Sequence, residues 1–229
     1  RHYINKKYST IKNYYYSDQM FRYERPQKGR YREFHQVGAE SLGYDKNSIK
    51  EIFSIVQLSN DFLETCVPSN TKFTFEVNSI GSSKDRKLYN KELLLYLKKH
   101  KDELSDDSKL RLDKNPLRIL DSKDENDIEV IKDGPKLSKY RSKESNKEYE
   151  ELLNMLSETK ISFKENENLV RGLDYYNDFT FEIVPNNSQG SQDALGGGGQ
   201  YDKLSNLLGS KDITGVGVAF GVDRIMELN

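Results

Sequence analysis

Hydrophobic and polar residues alternate along two runs between about Ser17 and Glu40, interrupted by Pro26 to Gly29. Two such runs joined by a loop containing Pro and Gly predict an antiparallel hairpin. From Asn47 to Glu64 the apolar residues Ile49, Ile52, Phe53, Val56 and Phe62 recur at helical spacing, and Pro68 ends the pattern. Lys72 to Ser79 alternates again, with Phe73, Phe75 and Val77 on one face, as in a half-buried strand. Between about Lys84 and Lys160 helical patterns dominate, first through Leu93, Leu94 and Leu97, later through Tyr149, Leu152, Leu153 and Leu156. Charged connections separate them. Strand patterns return at Ile161–Lys164, Phe179–Val184 and Gly215–Phe220, and short helices are predicted over Gln200–Leu208 and Val222–Leu228. Strands early and late with helices between them predict an α+β fold around an antiparallel sheet. The expected organisation is a core over 1–83, a helical insertion over 84–160 and the rest of the core over 161–229.

Composition narrows the picture. The 229 residues suffice for one large domain or a domain with an inserted lobe. With 34% hydrophobic and 32% charged residues, the chain is polar but able to build a core. A net charge of -1 provides no global basic field, so any affinity for nucleic acid must come from local patches. The single cysteine, Cys66, excludes an intramolecular disulfide framework and fits a reducing compartment. One cysteine and three scattered histidines (His2, His35, His100) argue against a structural zinc site. No apolar run reaches the ~18 residues a spanning helix needs, so no membrane partner is expected. No signal peptide is visible in a chain that opens on Arg1.

The hairpin can be read one face at a time. One face would carry Phe21, Tyr23, Val37 and Ala39, and the other Arg22, Glu24, Phe34, Gln36 and Glu40, with Lys28, Arg30 and Arg32 in the loop beside Gly29. A sheet with one solvated face accounts for such charges. A site for an anionic, aromatic ligand also explains the aromatic and the glycine in the polar row. Arginines fork onto phosphate oxygens and Phe34 can stack on a base. His35 falls on the other face and is assigned no chemistry.

Three later features add to this. Arg171 precedes Gly172, which permits a tight bend, although an arginine beside tyrosines is commonly a surface or cation–π contact. Gly196 to Gly199 predicts a flexible turn before a short helix. In 215–221, Val216, Val218 and Phe220 share one face, while Gly215, Gly217, Ala219 and Gly221 form a face of minimal side chains that a flat ligand can approach. Arg224 follows in the first helical turn, where the helix dipole disfavours a cation, hinting at an anionic or aromatic partner. An ordinary strand–turn–helix fits that pattern as well.

Taken in order, FRYERPQKGRYREFHQVGAE (21–40), LVRGLDYYNDFTFEIV (169–184) and GVGVAFGVDRI (215–225) resemble motif 2, the histidine-specific motif and motif 3 of bacterial-type histidyl-tRNA synthetases. NSIGS (78–82) and NPLRILDSK (115–123) are similar to the same family, so the resemblance covers nearly the whole chain. It implies a class II synthetase sheet of six to seven antiparallel strands flanked by helices. It implies that Arg22 binds the ATP α-phosphate, that Glu24 reaches the adenine side and Arg30 the far phosphates, and that Tyr31 belongs to the ATP-binding set. Phe34 would pack on adenine opposite Arg224. Gln36, Glu40, Arg171, Tyr175, Tyr176 and Tyr201 would bind histidine, with Glu40 and Tyr176 meeting the imidazole nitrogens. Arg22, Gln36 and Arg171 would be catalytic, Arg171 standing where many class II enzymes use a metal ion. No protein-held metal is expected.

The implied substrates are ATP with Mg²⁺, L-histidine and tRNA(His). The implied enzyme is a homodimer when full length, cytoplasmic, or organellar in a eukaryote. The family's GGRYDGL reads GGQYDKL here, so Gln200 and Lys203 depart from the pattern while Tyr201 and Asp202 keep it. Motif 1, a further histidine-pocket segment and the anticodon-binding domain are expected outside residues 1–229, so these residues alone should charge tRNA weakly or not at all. The competing reading is a non-catalytic paralogue serving as regulatory subunit or histidine sensor. Such paralogues tend to lose the arginine-and-tyrosine motif retained here at Arg171 to Tyr176. A general RNA-binding module fits poorly with the neutral net charge.

Overall fold

The expected hairpin is built from two ten-residue strands, β1 (Lys12–Phe21) and β2 (Glu33–Leu42). In this computed structural model, residues 12–23, 26, 29–45, 49–170, 175–186 and 194–228 are described. β1 and β2 pair antiparallel with Met20 opposite Phe34, Asp18 opposite Gln36, Tyr16 opposite Gly38 and Tyr14 opposite Glu40. The even-numbered positions therefore share one face. Helix α1 (Ile49–Cys66) follows, then β3 (Phe73–Ser79). The remaining strands are β4 (Phe163–Glu165), β5 (Asn177–Pro185), β6 (Gly196–Gln200) and β7 (Gly215–Gly221). All seven form one sheet in the order β1-β2-β7-β6-β5-β3-β4, antiparallel throughout except for the parallel β3–β4 pair. The α+β expectation holds.

Alternation gives this sheet a greasy side and a polar side. Val216, Val218, Phe220, Phe181, Ile183, Phe75 and Val77 are buried on one face. They pack against Ile52, Val56 and Leu63 of α1 and Tyr149, Leu152 and Leu156 of α5 (Lys143–Ser157). Each such side chain, fully withdrawn from water, stabilises the fold by roughly 1.5–3 kcal/mol. The helices cover the sheet only as far as β2. Phe21 and Tyr23, expected on the apolar face beside Val37 and Ala39, are instead 71% and 97% exposed. Ala39 does pack on the core. The difference arises because β1 is an edge strand beyond the reach of α1.

A second core lies between β3 and α5. It is formed by α2 (Ser83–Lys99), α3 (Asp106–Arg111), α4 (Glu125–Lys132) and three 3₁₀ turns at 101–103, 116–119 and 137–139. Tyr89, Leu93, Leu97, Ile119 and Leu137 fill it, and Tyr176 closes one side with Tyr175 and Tyr201 packed against it. Segment 84–160 is thus helical, but its last helix, α5, belongs to the sheet core. Asp127 pins the lobe. Its fully buried carboxylate accepts the hydroxyls of Ser105, Ser108 and Ser122 and the N–H of Ser105. Burial works against that charge, but these bonds outweigh it and hold the carboxyl below its ordinary range.

Two departures from the sequence reading concern β6 and Gln200. The four glycines are no flexible turn but most of a central strand, paired on both sides. A Cβ at Gly198 would strike the Gly217 carbonyl, and one at Gly196 the Phe220 ring, so the strand can lie between β5 and β7 only without side chains there. Gln200 is buried and structural. Its Oε1 accepts the Phe179 N–H at 3.0 Å, at the point where the β5–β6 register shifts between Asn177 and Thr180. A long neutral amide thereby satisfies a backbone donor that the irregular ladder leaves over. Two short helices, α6 (Leu204–Leu207) and α7 (Val222–Met226), complete the described elements. None of the described helices is long and apolar enough to cross a membrane.

Candidate functional site

The polar face of the sheet carries two groups of side chains at opposite ends of β2. Around Glu40 lies a cavity of about 280 Å³. Glu40 and Gly217 form its floor, Tyr175, Tyr176 and Tyr201 one wall, and Leu42, Leu204, Leu208 and Ile213 the apolar remainder. The three tyrosine rings hold one another. Tyr175 and Tyr176 have centroids 4.8 Å apart, and Tyr201 meets both edge-on at 6.0 and 6.3 Å. Such aromatic pairs contribute about 0.5–1.5 kcal/mol each beyond burial.

Gly217 lies opposite Glu40 in the β2–β7 ladder. A Cβ there would overlap the Glu40 carboxylate. The carboxylate also accepts the Tyr201 hydroxyl. Burial pushes the Glu40 carboxyl up to about 7, with the bond from Tyr201 opposing the rise. Burial, followed by the Glu40 charge and the bond to it, raises the Tyr201 phenol far above its usual range. One consequence corrects the sequence reading. The minimal face of β7 is not bare backbone, because Gly215 lies under the Tyr201 ring and Gly217 under Glu40.

At the other end stand the arginines. The Arg22 guanidinium lies 3.7 Å above the Phe34 ring centroid, a cation–π contact covering one face of that ring. Arg22 N–H donates to the Arg32 carbonyl, extending the hairpin past β1. Arg30 is half-buried beside Gly29, whose positive φ of 71° suits a residue without a Cβ. Arg224, in the first turn of α7, donates through Nε to the Gly29 carbonyl at 2.7 Å and through Nη1 to the Ala194 carbonyl at 2.5 Å. Backbone carbonyls thus provide partners for a cation that the helix dipole alone would disfavour. Tyr31 is exposed and donates to Glu227 at 2.9 Å, a bond that raises its phenol. His35 is exposed; its N–H donates to Asp223 at 2.8 Å.

Gln36 sits between the two groups, donating to the Tyr16 hydroxyl at 3.0 Å. Burial, helped by Glu40 and then Tyr176, pushes the Tyr16 phenol up to about 12. Its ring lies over Gly38, where any Cβ would collide with it. Phe34 and Glu40 are six residues apart on one strand, a span of roughly 20 Å at ~3.3 Å per residue. An elongated ligand whose anionic part lies at the arginine end fits such a strip.

Of the residues singled out from sequence, the structure brings Glu40, Tyr175, Tyr176 and Tyr201 into one cavity, and Arg22, Phe34, Arg30 and Arg224 around the hairpin loop. Glu24, Lys28 and Arg171 lie outside the described residues. Sequence reading missed Tyr16, whose place was legible only had β1 been started at Lys12. It also missed Leu42, Leu204, Leu208 and Ile213, which come from the end of β2, the α6 turn and the loop before β7 and share no local pattern. Nor did it anticipate the support beneath Tyr201. Asp202 Oδ1 accepts the Tyr44 hydroxyl at 3.1 Å and the Gly215 N–H at 3.0 Å. The described residues bring together no group of three His, Cys, Asp or Glu side chains able to hold a metal ion.

Comparison with known proteins agrees with the motifs. Residues 2–225 match the family model described as histidyl-tRNA synthetase. A histidine–tRNA ligase of Wolbachia pipientis wMel is 44% identical over 226 residues, covering 98% of this chain and 54% of its own length. A chloroplastic histidine–tRNA ligase of the alga Pyropia yezoensis is 42% identical over 230 residues, covering 99% of this chain and 52% of its own. The crystal structure of apo S. aureus histidyl-tRNA synthetase superposes with a TM-score of 0.69 at 30% identity, over 94% of this chain and 50% of that one. The chain therefore spans about half the length of the relatives it matches. With the family model matching residues 2–225 and relatives 42–44% identical over nearly its whole length, this chain belongs to the histidyl-tRNA synthetase family.

Proposed function

We propose that this chain is the catalytic core of a class II histidine–tRNA ligase, with the polar strip of the sheet holding ATP at the arginine end and histidine in the tyrosine pocket. The observation that carries the reading is the pairing on one sheet face of a largely buried carboxyl among three tyrosines with an arginine folded over an aromatic ring. Histidine is recognised by groups that meet both ring nitrogens, because a pocket with buried polar atoms strongly rejects a ligand that leaves them unpaired. Glu40 and Tyr176 are suited to that task, with Tyr201 holding the carboxylate in place. Gln36, between the two groups, is placed to orient the amino-acid carboxylate. Arg22 and, on the strength of its motif, Arg171 stabilise negative charge as the histidine carboxylate attacks the α-phosphate in line and pyrophosphate leaves. The terminal ribose hydroxyl of tRNA(His) then takes the histidyl group from the adenylate. No side chain acts as nucleophile.

The adenine packs between Phe34 and Arg224, with Glu24 at its edge, while Arg30 attends the outer phosphates and Tyr31 belongs to the ATP-binding set. ATP carries Mg²⁺ on its own phosphate oxygens, where the ion neutralises charge on the departing pyrophosphate. The described residues offer no separate metal cage. A homodimer in the cytoplasm, or in an organelle as the name of the algal relative says of that protein, is the setting we infer.

Histidine-dependent ATP–pyrophosphate exchange by the intact protein tests the reading. Arg22→Ala should lower kcat of that exchange by about 10²–10³, the loss typical of one preorganised electrostatic donor. Absence of exchange in the intact wild-type protein would favour the regulatory paralogue instead.

A further inference from the structure

One carboxyl stands at a junction that the roles above do not use. Asp178, at φ 48°, is the one non-glycine residue with positive φ among the described residues. That conformation is uncommon for side chains other than Asn and Asp, and it persists where the surroundings enforce it. Both backbone groups of Asp178 face the β3–α2 junction. Its carbonyl accepts the Ile80 N–H at 2.7 Å and its N–H donates to Gly81 at 3.1 Å. In its side chain, Oδ2 accepts Asn177 Nδ2 at 2.9 Å, and Oδ1 lies 3.3 Å from Ser145 Oγ of α5.

Ser145 ties this carboxyl to a second one. Its Oγ has one hydrogen and two lone pairs. Three oxygens surround it: Asp85 Oδ2 at 3.1 Å, Asp178 Oδ1 at 3.3 Å and Ser142 Oγ at 3.2 Å, the last a donor. Asp85 also accepts the Ser82 N–H in the capping box of α2. Burial works against the Asp85 charge, but its bonds from Ser82, Ser142 and Ser145 outweigh it and hold its carboxyl low. Ser145 Oγ faces both carboxyls as a donor with one hydrogen, so this hydroxyl of α5 bridges Asp85 of α2 and Asp178 of β5. Among the described residues around Asp178, Asp202, Glu148 and Tyr44 supply no positive charge, and Arg86 is a cation acting on it; Arg141 lies beyond, against Gly81.

This junction underlies the pocket wall. Asn177 is bonded to Asp178 and accepts the Asp202 N–H at 2.8 Å, so the residues following Tyr176 and Tyr201 are tied together. We propose that Asp178, bonded between Asn177 and Ser145, is a positioning residue that fixes the tyrosine wall to α2 and α5. The effect on histidine rests on the reading of that pocket given above. Burial pushes the carboxyl up and Asp202 adds to the rise, while the bonds from Asn177 and Ser145 and the Arg86 charge oppose it.

Asp178→Asn keeps an acceptor oxygen for Ser145 and suits positive φ, whereas Asp178→Ala removes the acceptor. Carboxyl carbon NMR of the intact protein should show one resonance, missing from Asp178→Asn, that titrates above the ordinary aspartate range of about 4. In ATP–pyrophosphate exchange, the Asn variant should keep a histidine KM within about twofold of wild type, whereas the Ala variant should raise it about tenfold, equivalent to ~1.4 kcal/mol, with the ATP KM steady. A resonance titrating at or below about 4 would overturn the desolvated setting given to this carboxyl, whether or not the protein activates histidine. An unchanged histidine KM in a folded Asp178→Ala would overturn the positioning role. Loss of exchange in wild type alone would count against the ligase reading and leave the NMR result standing.

Discussion

Glu40 sits over a backbone with no side chain beneath it, and its carboxylate, the Tyr201 hydroxyl and Gly217 interlock. Replacing Gly217 with Ala should therefore expel the carboxylate from its seat. A cost of about 1–3 kcal/mol is expected for overpacking at such a site, read as a lower unfolding midpoint together with a higher histidine KM. The buried carboxyl also makes a pH prediction whose sign follows from its raised value. Below about 4.5 it is protonated whether the chain is folded or not; between there and about 7 only the unfolded chain ionises it freely. Wild-type stability should thus fall relative to Glu40→Gln as pH rises through that window. The relative loss should be on the order of 2 kcal/mol after allowance for solvent contact, measured by denaturant unfolding at several pH values. A constant difference between the two proteins would refute it. The residues themselves were legible. Glu40 and Tyr176 follow from motif and alternation, whereas the Tyr201–Glu40 bond joins residues 161 apart and has no local signature.

At the scale of elements, alternation located strands where one face is apolar and failed where neither face has side chains. β3, β5 and β7 each carry a row of Phe, Val or Ile that the sheet core requires. β6 has no such row, because its glycines are selected by their neighbours: Gly217 crosses Gly198 too closely for a Cβ, and the Phe220 ring fills the space beside Gly196. Sequence reading therefore saw a turn. Gly198→Ala tests the point. The obstruction is backbone, which cannot rotate away, so the variant should lose roughly 1–3 kcal/mol or more, whereas alanine at a true flexible turn would be neutral or stabilising. Thermal unfolding distinguishes these signs. The edge strand β1 failed for the opposite reason. Aromatic residues at its end predicted burial, but none of the described helices packs over it, and Phe21 and the following Tyr23 remain in solvent.

Across the whole molecule, the two cores meet at the tyrosines. Tyr176 is buried in the helical lobe's cluster while its ring lines the cavity, and Tyr175 and Tyr201 pack on the same cluster. The lobe thus backs the tyrosine wall of the pocket, which its place between sequence motifs did not reveal. Leu97 is fully buried in that cluster. Leu97→Ala removes three carbons from a packed site and should cost about 2–5 kcal/mol. If the lobe and the sheet fold as one unit, calorimetry of the intact protein should show their shared transition moving down without splitting. Because a loosened lobe frees the tyrosine wall, the histidine KM should rise several-fold at temperatures where the variant is still folded. The ATP KM should stay near wild type, since Arg22, Phe34 and Arg224 are held by the hairpin and by the Gly29 and Ala194 carbonyls. A lowered midpoint with an unchanged histidine KM would show that the pocket draws its rigidity from the sheet alone.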